Sequence, residues 1–248
     1  MIAATQQSER PFLTAEWRDL VLLNYEVDPT VLRPYLPRET KLDTFGGRTF
    51  VSLVAFRFLK TRIYGRLAIP FHSNFDEVNL RFYVRRETAD EVRRGVVFIA
   101  ETVPRRAIAI VARVAYNENY SAHALTHRIS HSSAGSEFRY QWTPRRSDGY
   151  AIEAQIAGQA DYPADGSEQQ FVAEHYWGYA KQRDGGTVEY RVEHAPWRVW
   201  TAASSGFSGD GGAFYGAQFA DVLATQPTSA FVADGSLVKV FKGRRIVP

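Results

Sequence analysis

The chain has 248 residues, of which 45% are hydrophobic and 23% are charged, and it contains no cysteine. This is the composition of an ordinary globular domain, and it excludes disordered and fibrous classes, disulfides and thiolate chemistry. No window approaches the ~18 uninterrupted apolar residues of a membrane span, and residues 1–10 lack an apolar signal core. We therefore expect a cytoplasmic protein with one domain over residues 1–248.

The formal net charge is +3, and the basic residues are mostly arginines scattered among carboxylates. A groove for nucleic acid needs a concentrated basic stripe with aromatic platforms, which this pattern does not provide. We expect neither a nucleic-acid partner nor a membrane partner. The sequence leaves the formation of a homo-oligomer open.

The predicted elements in the first half of the chain are mainly strands. A β-favouring run over residues 17–27 precedes a short helix over 29–35, which Asp28 caps and Pro29 begins. Residues 41–59 predict a hairpin that turns at Gly46 and Gly47. Strict alternation predicts a strand over 78–84, and the apolar run 96–100 predicts a central one. Residues 104–117 favour a buried helix, with a strand as the alternative.

The second half continues the pattern. Strands are predicted over 138–143, 151–157 and 187–193, and Ser167 with Gln170 predicts a helix that ends near residue 184. A further helix is predicted over 214–224, and a β-hairpin over 229–241 turns at Asp234 and Gly235. The predicted fold is therefore α+β, with mainly antiparallel strands and a few peripheral helices.

The polar face of the predicted strand 78–84 is the first candidate site. Glu77, Asn79, Arg81 and Tyr83 occupy alternating positions and so share one face. That face lines a ligand cavity if it points inward, and it is an ordinary wet sheet face with weak ion pairs if it points outward. The periodicity leaves both interpretations open.

Arg113 lies within the apolar run 108–116, where an unpaired guanidinium would cost several kcal/mol. We expect it to meet a carboxylate, and Glu77 and Glu101 are the nearest candidates. The pair is either a structural ion pair or an anion clamp, because arginine offers a bidentate fork to a carboxylate.

Other motifs carry less weight. His123, His127 and His131 are spaced by four residues, which suits zinc on a helix but separates the imidazoles on a strand, so we expect no metal. The glycine-rich residues 206–212 lack the features of a phosphate loop or a nucleophile elbow. Glu174 and Tyr176 offer acid–base groups, although His175 and Tyr176 also fit simple core packing.

The chain nevertheless resembles a known family. The most specific element is the block Glu77-Val78-Asn79-Leu80-Arg81-Phe82-Tyr83-Val84, and further matching segments lie at residues 17–29, 36–37, 42–47, 51–56, 95–98, 112–113 and 190–197. These segments resemble the bacterial family known as domain of unknown function 2071, or YqjF-like. That family is similar to the acetoacetate decarboxylase superfamily.

The resemblance implies an antiparallel β barrel or cone around a polar central cavity, with the strand of Glu77 on the cavity wall. It does not carry over the decarboxylase chemistry, which needs a lysine nucleophile that forms a Schiff base. The segment that stands against the decarboxylase lysines is Pro104-Arg105-Arg106, and an arginine cannot lose its proton to attack a carbonyl. An inward Lys60 would reopen that possibility.

Our first functional hypothesis is a polar cavity that binds a small anionic or carbonyl compound, with no cofactor. The protein is then either a binding protein or an enzyme, lyase-like on a small oxo acid, that uses no Schiff-base lysine. Glu77 would be the catalytic acid–base group, and the ligand-binding residues would be Asn79, Arg81, Tyr83, Arg106, Arg113, Glu174 and Tyr176. The alternatives are a true acetoacetate decarboxylase-like lyase acting on a β-keto acid and a non-catalytic structural or interaction module.

Overall fold

The computed structural model describes residues 9–65, 67–68, 73–104, 120–144 and 149–246. The strands in these ranges are β1 (Leu13–Glu26), β2 (Lys41–Leu42), β3 (Phe50–Ile63), β4 (Leu67–Ala68), β5 (Phe75–Glu87), β6 (Val92–Val103), β7 (Tyr120–Ala122), β8 (Ala124–Ser132), β9 (Gly135–Thr143), β10 (Tyr150–Ile156), β11 (Trp177–Lys181), β12 (Thr187–His194), β13 (Val199–Thr201), β14 (Ser204–Ser208), β15 (Ser229–Ala233), β16 (Leu237–Val240) and β17 (Arg244–Ile246). The α-helices are α1 (Pro29–Leu32), α2 (Glu168–Ala173), α3 (Gly211–Tyr215) and α4 (Ala220–Leu223). Strands dominate and the helices are short.

The strands form one large and one small sheet. The large sheet has 13 strands, and the small one has four, in the order β14-β10-β9-β8. Within the large sheet the pairings run β1-β16-β12-β11-β6-β5-β3 and return from β3 to β1, so these strands form a closed cycle. Strand β6 pairs in parallel with β7 and β11, and the other pairings of the cycle are antiparallel. The mainly antiparallel α+β class is confirmed.

Alternate residues of the cycle strands belong to two different cores. On β1, Val21 and Leu23 pack in one cluster with Trp142 of the small sheet, whereas Leu20 and Leu22 pack in a second cluster that includes Phe171 of α2. The period of two in a strand separates these two faces. One face of the large sheet is therefore covered by the small sheet, and the other faces the interior of the cycle.

The strand predictions agree well with the structure. The runs predicted at 17–27, 78–84, 96–100, 138–143, 151–157 and 187–193 lie within or overlap β1, β5, β6, β9, β10 and β12. The helix predicted at 29–35 is α1 followed by a 3-10 turn, and Asp28 caps it by accepting a 2.7 Å hydrogen bond from the Thr30 amide. Local patterns were sufficient here because each run carries its own periodicity and its own end signals.

Both predicted hairpins are wrong in their pairing. Gly46 and Gly47 do form the expected turn, with φ of 57° and 79°, but β2 pairs with β5 rather than with β3. In the second case β15 and β16 flank the expected turn, yet both pair with β1, at its residues 20–24 and 13–16 respectively. A turn residue specifies a change of chain direction and does not specify which strand is the partner.

The helix predictions are wrong in extent. Ser167 caps α2 by accepting a 3.2 Å hydrogen bond from the Gln170 amide, but α2 ends at Ala173 and the chain becomes strand β11 at Trp177. Pairing of β11 with β6 and β12 overrides the helical spacing of the apolar residues. The helix predicted at 214–224 is split between α3 and α4, with Gly216 at φ 114° between them. All but the first residue of the helix predicted at 104–117 lie outside the described residues.

The helices of the described ranges are too short or too polar for any of them to cross a bilayer.

Candidate functional site

A pocket with a volume of about 150 Å³ lies inside the cycle of strands. Every strand of the cycle contributes to its wall, for example Trp17 of β1, Phe58 of β3, Glu77 of β5 and His194 of β12. Residues 172, 173 and 175, at and after the end of α2, supply another part of the wall. The polar face of β5 therefore points into this pocket and not toward solvent.

The polar part of the wall is centred on β5 and its neighbour β6. Glu77, Asn79 and Glu101 are each at most 3% exposed and all line the pocket. Asn79 Nδ2 donates a 3.1 Å hydrogen bond to Glu77 Oε1, and the Tyr120 hydroxyl lies 3.5 Å from Glu77 Oε2. Asn79 Oδ1 is buried and accepts no hydrogen bond from any residue that the structure describes. This part of the wall thus presents two carboxylates and an amide oxygen that has unused acceptor capacity.

Arg81 places a positive charge in the same pocket. Its side chain is buried, its Nη2 donates a 3.1 Å hydrogen bond to the Val172 carbonyl, and its Nε meets no acceptor within the described ranges. The guanidinium carbon lies 5.8 Å from the centre of the Tyr83 ring. No carboxylate in the described part of the chain forms an ion pair with Arg81, which leaves its charge without a neutralising partner there.

His175 borders the pocket next to Arg81. Its Nε2 lies 3.4 Å from Oδ2 of Asp43, which also forms a 2.6 Å hydrogen bond with Arg94. Burial lowers the pKa of His175 to about 4, against the opposing effect of Asp43, and Arg94 and Arg81 lower it further. His175 is therefore a neutral imidazole at pH 7. The positive charges of Arg94 and Arg81 favour this neutral form.

His194 of β12 lies on the pocket wall, stacked on Trp197 with ring centres 4.2 Å apart. Its Nδ1 lies 2.9 Å from the Ala195 carbonyl oxygen, so Nδ1 carries the proton and Nε2 is left as an acceptor. Burial lowers the pKa of His194 to about 4, and Arg81 contributes in the same direction. The ring is a neutral hydrogen-bond acceptor at pH 7.

The rest of the wall is rich in aromatic side chains. The aromatic lining residues other than the two histidines are Phe12, Trp17, Phe56, Phe58, Phe75, Phe98, Tyr120, Trp177, Tyr190 and Trp197. No sequence signal pointed to these rings as a group, since they come from strands that are far apart in the chain and pair only in the folded protein. The two histidines were visible in the sequence, but the apparent helical spacing around His175 favoured simple core packing.

Several residues that the sequence suggested do not line this pocket. Tyr83 shares the face of Glu77, but its hydroxyl lies 2.6 Å from the Ser52 hydroxyl and its ring packs on Phe171. Glu174 caps the end of α2 and contacts Gln170, and Tyr176 packs on the ring of His194. Neither of them is a lining residue.

Arg106 and Arg113 fall outside the described residues. The expected contact of Arg113 with Glu77 or Glu101 therefore stays a prediction.

None of the lysines is a residue of the described pocket wall. Lys60, the one candidate that could have pointed inward, is largely exposed and forms a 2.6 Å hydrogen bond with Glu16. The other four are also at the surface, and the full set is Lys41, Lys60, Lys181, Lys239 and Lys242. Since the sequence contains no further lysine, the pocket wall described here holds no amine that could form a Schiff base.

The spaced histidines lie on a strand rather than a helix. His127 and His131 are in β8, His123 directly precedes it, and His127 Nδ1 lies 2.8 Å from Asp76 Oδ2. Across the described ranges no three ligating side chains are grouped as a metal ion would require.

Comparison with solved structures gives the same architecture over nearly the whole chain. Acetoacetate decarboxylase from Legionella pneumophila subsp. pneumophila str. Philadelphia 1 superposes with a TM-score of 0.68 at 12% identity, covering 99% of this chain and 92% of that one. An acetoacetate decarboxylase-like enzyme from Sphingomonas wittichii RW1 gives 0.64 at 14% identity, covering 100% and 98%. The enduracididine biosynthesis enzyme MppR complexed with pyruvate gives 0.65 at 13% identity, covering 98% and 93%. At such identities the similarity shows the fold.

Sequence comparison identifies the family. The uncharacterized protein YqjF of Bacillus subtilis (strain 168) is 28% identical over 104 residues, and the match spans 42% of this chain and 41% of that protein. The chain thus matches about two fifths of the length of that curated relative. The family model DUF2071, described as an uncharacterized conserved protein, matches residues 14–236. Because that match covers most of its length, this chain belongs to the DUF2071 family.

Proposed function

We propose that this chain binds a small organic anion or carbonyl compound in the pocket inside the strand cycle, without forming a Schiff base. The observation that carries the proposal is Arg81, a buried guanidinium on the pocket wall that meets no carboxylate among the described residues. A buried charge without a counter-ion is costly, and a carboxylate ligand would supply one. The planar fork of arginine suits a carboxylate, which it can bind through two parallel hydrogen bonds.

The polar groups along β5 would act on the other end of such a ligand. Glu77 is the proposed acid–base group, and Asn79 holds it through the 3.1 Å hydrogen bond while its own Oδ1 is available to a ligand donor. Glu77 and Arg81 are four residues apart on the strand, which separates their Cα atoms by ~13 Å. A ligand held by Arg81 could extend along the strand toward Asn79 and Glu77.

The similar structures give the proposal a chemical class. MppR has been obtained as a complex with pyruvate, a small oxo acid that has both a carboxylate and a carbonyl. We therefore propose that an oxo acid is the kind of molecule that this pocket holds. If the protein turns it over, the chemistry is lyase-like and uses acid–base groups. The surface positions of all five lysines argue against the decarboxylase route.

The test is a titration with pyruvate and acetoacetate, followed by calorimetry, on the native protein and on Arg81→Met. Methionine keeps the apolar stem and removes the charge. We expect binding of at least one acid to weaken by ~10- to 100-fold, since a hydrogen bond to a charged partner contributes that much. Arg198→Met is the control, because Arg198 is exposed and pairs with Asp234 outside the pocket. Equal affinity in native protein and Arg81→Met would overturn the proposal.

Borohydride trapping in the presence of acetoacetate distinguishes the lyase alternative. We expect no reduced adduct on any lysine by peptide mass spectrometry, whereas a known Schiff-base decarboxylase treated in parallel is labelled. A covalent adduct would overturn the part of the proposal that excludes a Schiff base. If no oxo acid binds at all and none changes the melting temperature, the structural-module alternative is favoured.

A further inference from the structure

One side of the pocket is a continuous wall of rings. Phe75 stacks on Phe58 with ring centres 4.6 Å apart, and Phe58 meets Trp17 edge-on at 5.7 Å. Trp17 contacts Trp197 at 6.2 Å, and Trp197 carries the stacked ring of His194 at 4.2 Å. Edge-on and stacked arrangements are the favoured geometries of aromatic pairs, so this wall is pre-organised rather than a loose collection of side chains.

The wall and the charged groups face the same space. Phe75, Glu77, Asn79 and Arg81 occupy alternate positions on β5 and all line the pocket. The strand therefore leads from the ring wall at Phe75 to the guanidinium at Arg81. A bound molecule that touches both must combine an apolar, flat part with an anionic part.

The pocket has room for the ring of such a molecule. Its volume is about 150 Å³, and an apolar cavity of roughly that size admits a benzene ring. A three- or four-carbon oxo acid would occupy only the polar part of the pocket, near Arg81. The aromatic wall would then be in contact with water. Water at that wall would be poorly bound, because a site holds water well only where it offers about two to four polar partners.

We infer that the pocket selects an anion that carries an aromatic ring, such as an aryl-substituted oxo acid, over short aliphatic oxo acids. This inference rests on the proposed function and adds the substrate class. The carboxylate binds Arg81, and the ring packs on the wall formed by Trp17, Phe58, Phe75 and Trp197. The His194 Nε2 lies on the same wall as a neutral acceptor for a donor on the ligand.

The experiment compares three probes on the native protein by calorimetry: phenylpyruvate, pyruvate and the uncharged ketone phenylacetone. Burial of a phenyl group is expected to make phenylpyruvate bind ~10- to 100-fold more tightly than pyruvate. Phenylacetone has the ring without the carboxylate, and it should bind more weakly than phenylpyruvate by the amount that Arg81→Met removes.

Phe58→Leu tests the wall directly, since it removes a ring and keeps an apolar side chain. It should reduce phenylpyruvate binding and leave pyruvate binding unchanged. The matched control is Phe82→Leu, because Phe82 is also buried but lies on the opposite face of the sheet, in the core against the small sheet. Thermal unfolding of both variants shows that they are folded before the titrations are compared.

The outcomes separate this inference from the proposed function. If pyruvate binds as tightly as phenylpyruvate and both need Arg81, the ring preference is overturned and the anion site stands. If phenylacetone binds as tightly as phenylpyruvate, the anion site is overturned, and the inference fails with it. If none of the probes binds, both are overturned.

Discussion

Asn79 holds Glu77 in place through a 3.1 Å hydrogen bond from its side-chain amide, inside a pocket where both residues are almost completely buried. Across the strand pair, Asn79 is also the register partner of Glu101. A neutral amide therefore stands between two carboxylates. This arrangement predicts that the charge of residue 79 matters more than its shape.

Asn79→Asp should destabilise the protein by ~2–4 kcal/mol at pH 8, because it buries a third carboxylate beside two others. The repulsion raises the pKa of the new carboxyl above its value in the unfolded chain, so the native state binds more protons. The difference in free energy of unfolding between native protein and Asn79→Asp should therefore become smaller as the pH falls toward 5. Urea unfolding of native protein and variant at both pH values measures this.

Asn79→Leu is the matched control for that variant. It removes the hydrogen bond without adding charge, so its cost should change much less between pH 5 and pH 8 than the cost of Asn79→Asp. If the free energies of unfolding of Asn79→Asp and Asn79→Leu change by the same amount between pH 5 and pH 8, the electrostatic explanation is contradicted.

The low pKa values of the two pocket histidines predict that the free energy of unfolding falls in weak acid. His175 faces Asp43, Arg94 and Arg81, His194 faces Arg81, and the pKa of each imidazole is lowered to about 4. A histidine in the unfolded chain titrates near pH 6.5. Between pH 6.5 and pH 4 these two histidines are therefore protonated in the unfolded chain and neutral in the native state. Each histidine therefore makes the free energy of unfolding fall by about 3 kcal/mol across this window.

His175→Gln and His194→Gln should each flatten the curve of unfolding free energy against pH in that window, and the double variant should flatten it further. Chemical denaturation at half-unit pH steps gives the curve. Carboxylates titrate in the same range, so the difference between native protein and variant is the informative quantity. If this difference does not change between pH 6.5 and pH 4, the histidines are not neutral in the native state.

Gly95 is predicted to be essential where β6 meets β11. A Cβ at this position would lie 2.6 Å from the carbonyl oxygen of Trp177, its register partner across the parallel junction. Main-chain atoms cannot move aside easily, so Gly95→Ala should lower the free energy of unfolding by ~1–3 kcal/mol. Gly206→Ala is the control, since nothing lies within 4 Å of a Cβ there. Equal melting temperatures for the two variants would refute the steric argument.

Tyr83 is predicted to serve stability and not ligand binding. Ser52 donates a 2.6 Å hydrogen bond to Asn24, so the Tyr83 hydroxyl is the donor toward Ser52. Asn24 in turn donates to Ser229, which donates to Glu168 at the start of α2. Tyr83→Phe should cost ~1 kcal/mol of stability. In Tyr83→Phe, the affinity for the oxo acid that binds the native protein should stay unchanged. A large loss of that affinity would show that Tyr83 takes part in ligand binding.

Local pattern in the sequence determined most of the strands and two of the side-chain caps, at Asp28 and Ser167. It also placed Glu77, Asn79 and Arg81 on one face of one strand, because the side-chain period of a strand is two. Local pattern could not reveal pairing. The two predicted hairpins and the long helix after Ser167 are wrong because strand partners are chosen by contacts between residues distant in the chain.

The sequence alone could not decide whether the polar face of β5 meets water or the interior. Two features of the tertiary structure decide it. Trp142 of the small sheet belongs to the same core cluster as Val78 and Leu80 on the apolar face of β5, and β3 pairs with β1 to close the cycle. Charged side chains on the remaining face then share an enclosed space with rings from β1, β3 and β12. The physical reason is that alternation fixes which residues share a face, whereas only packing of whole sheets fixes what that face meets.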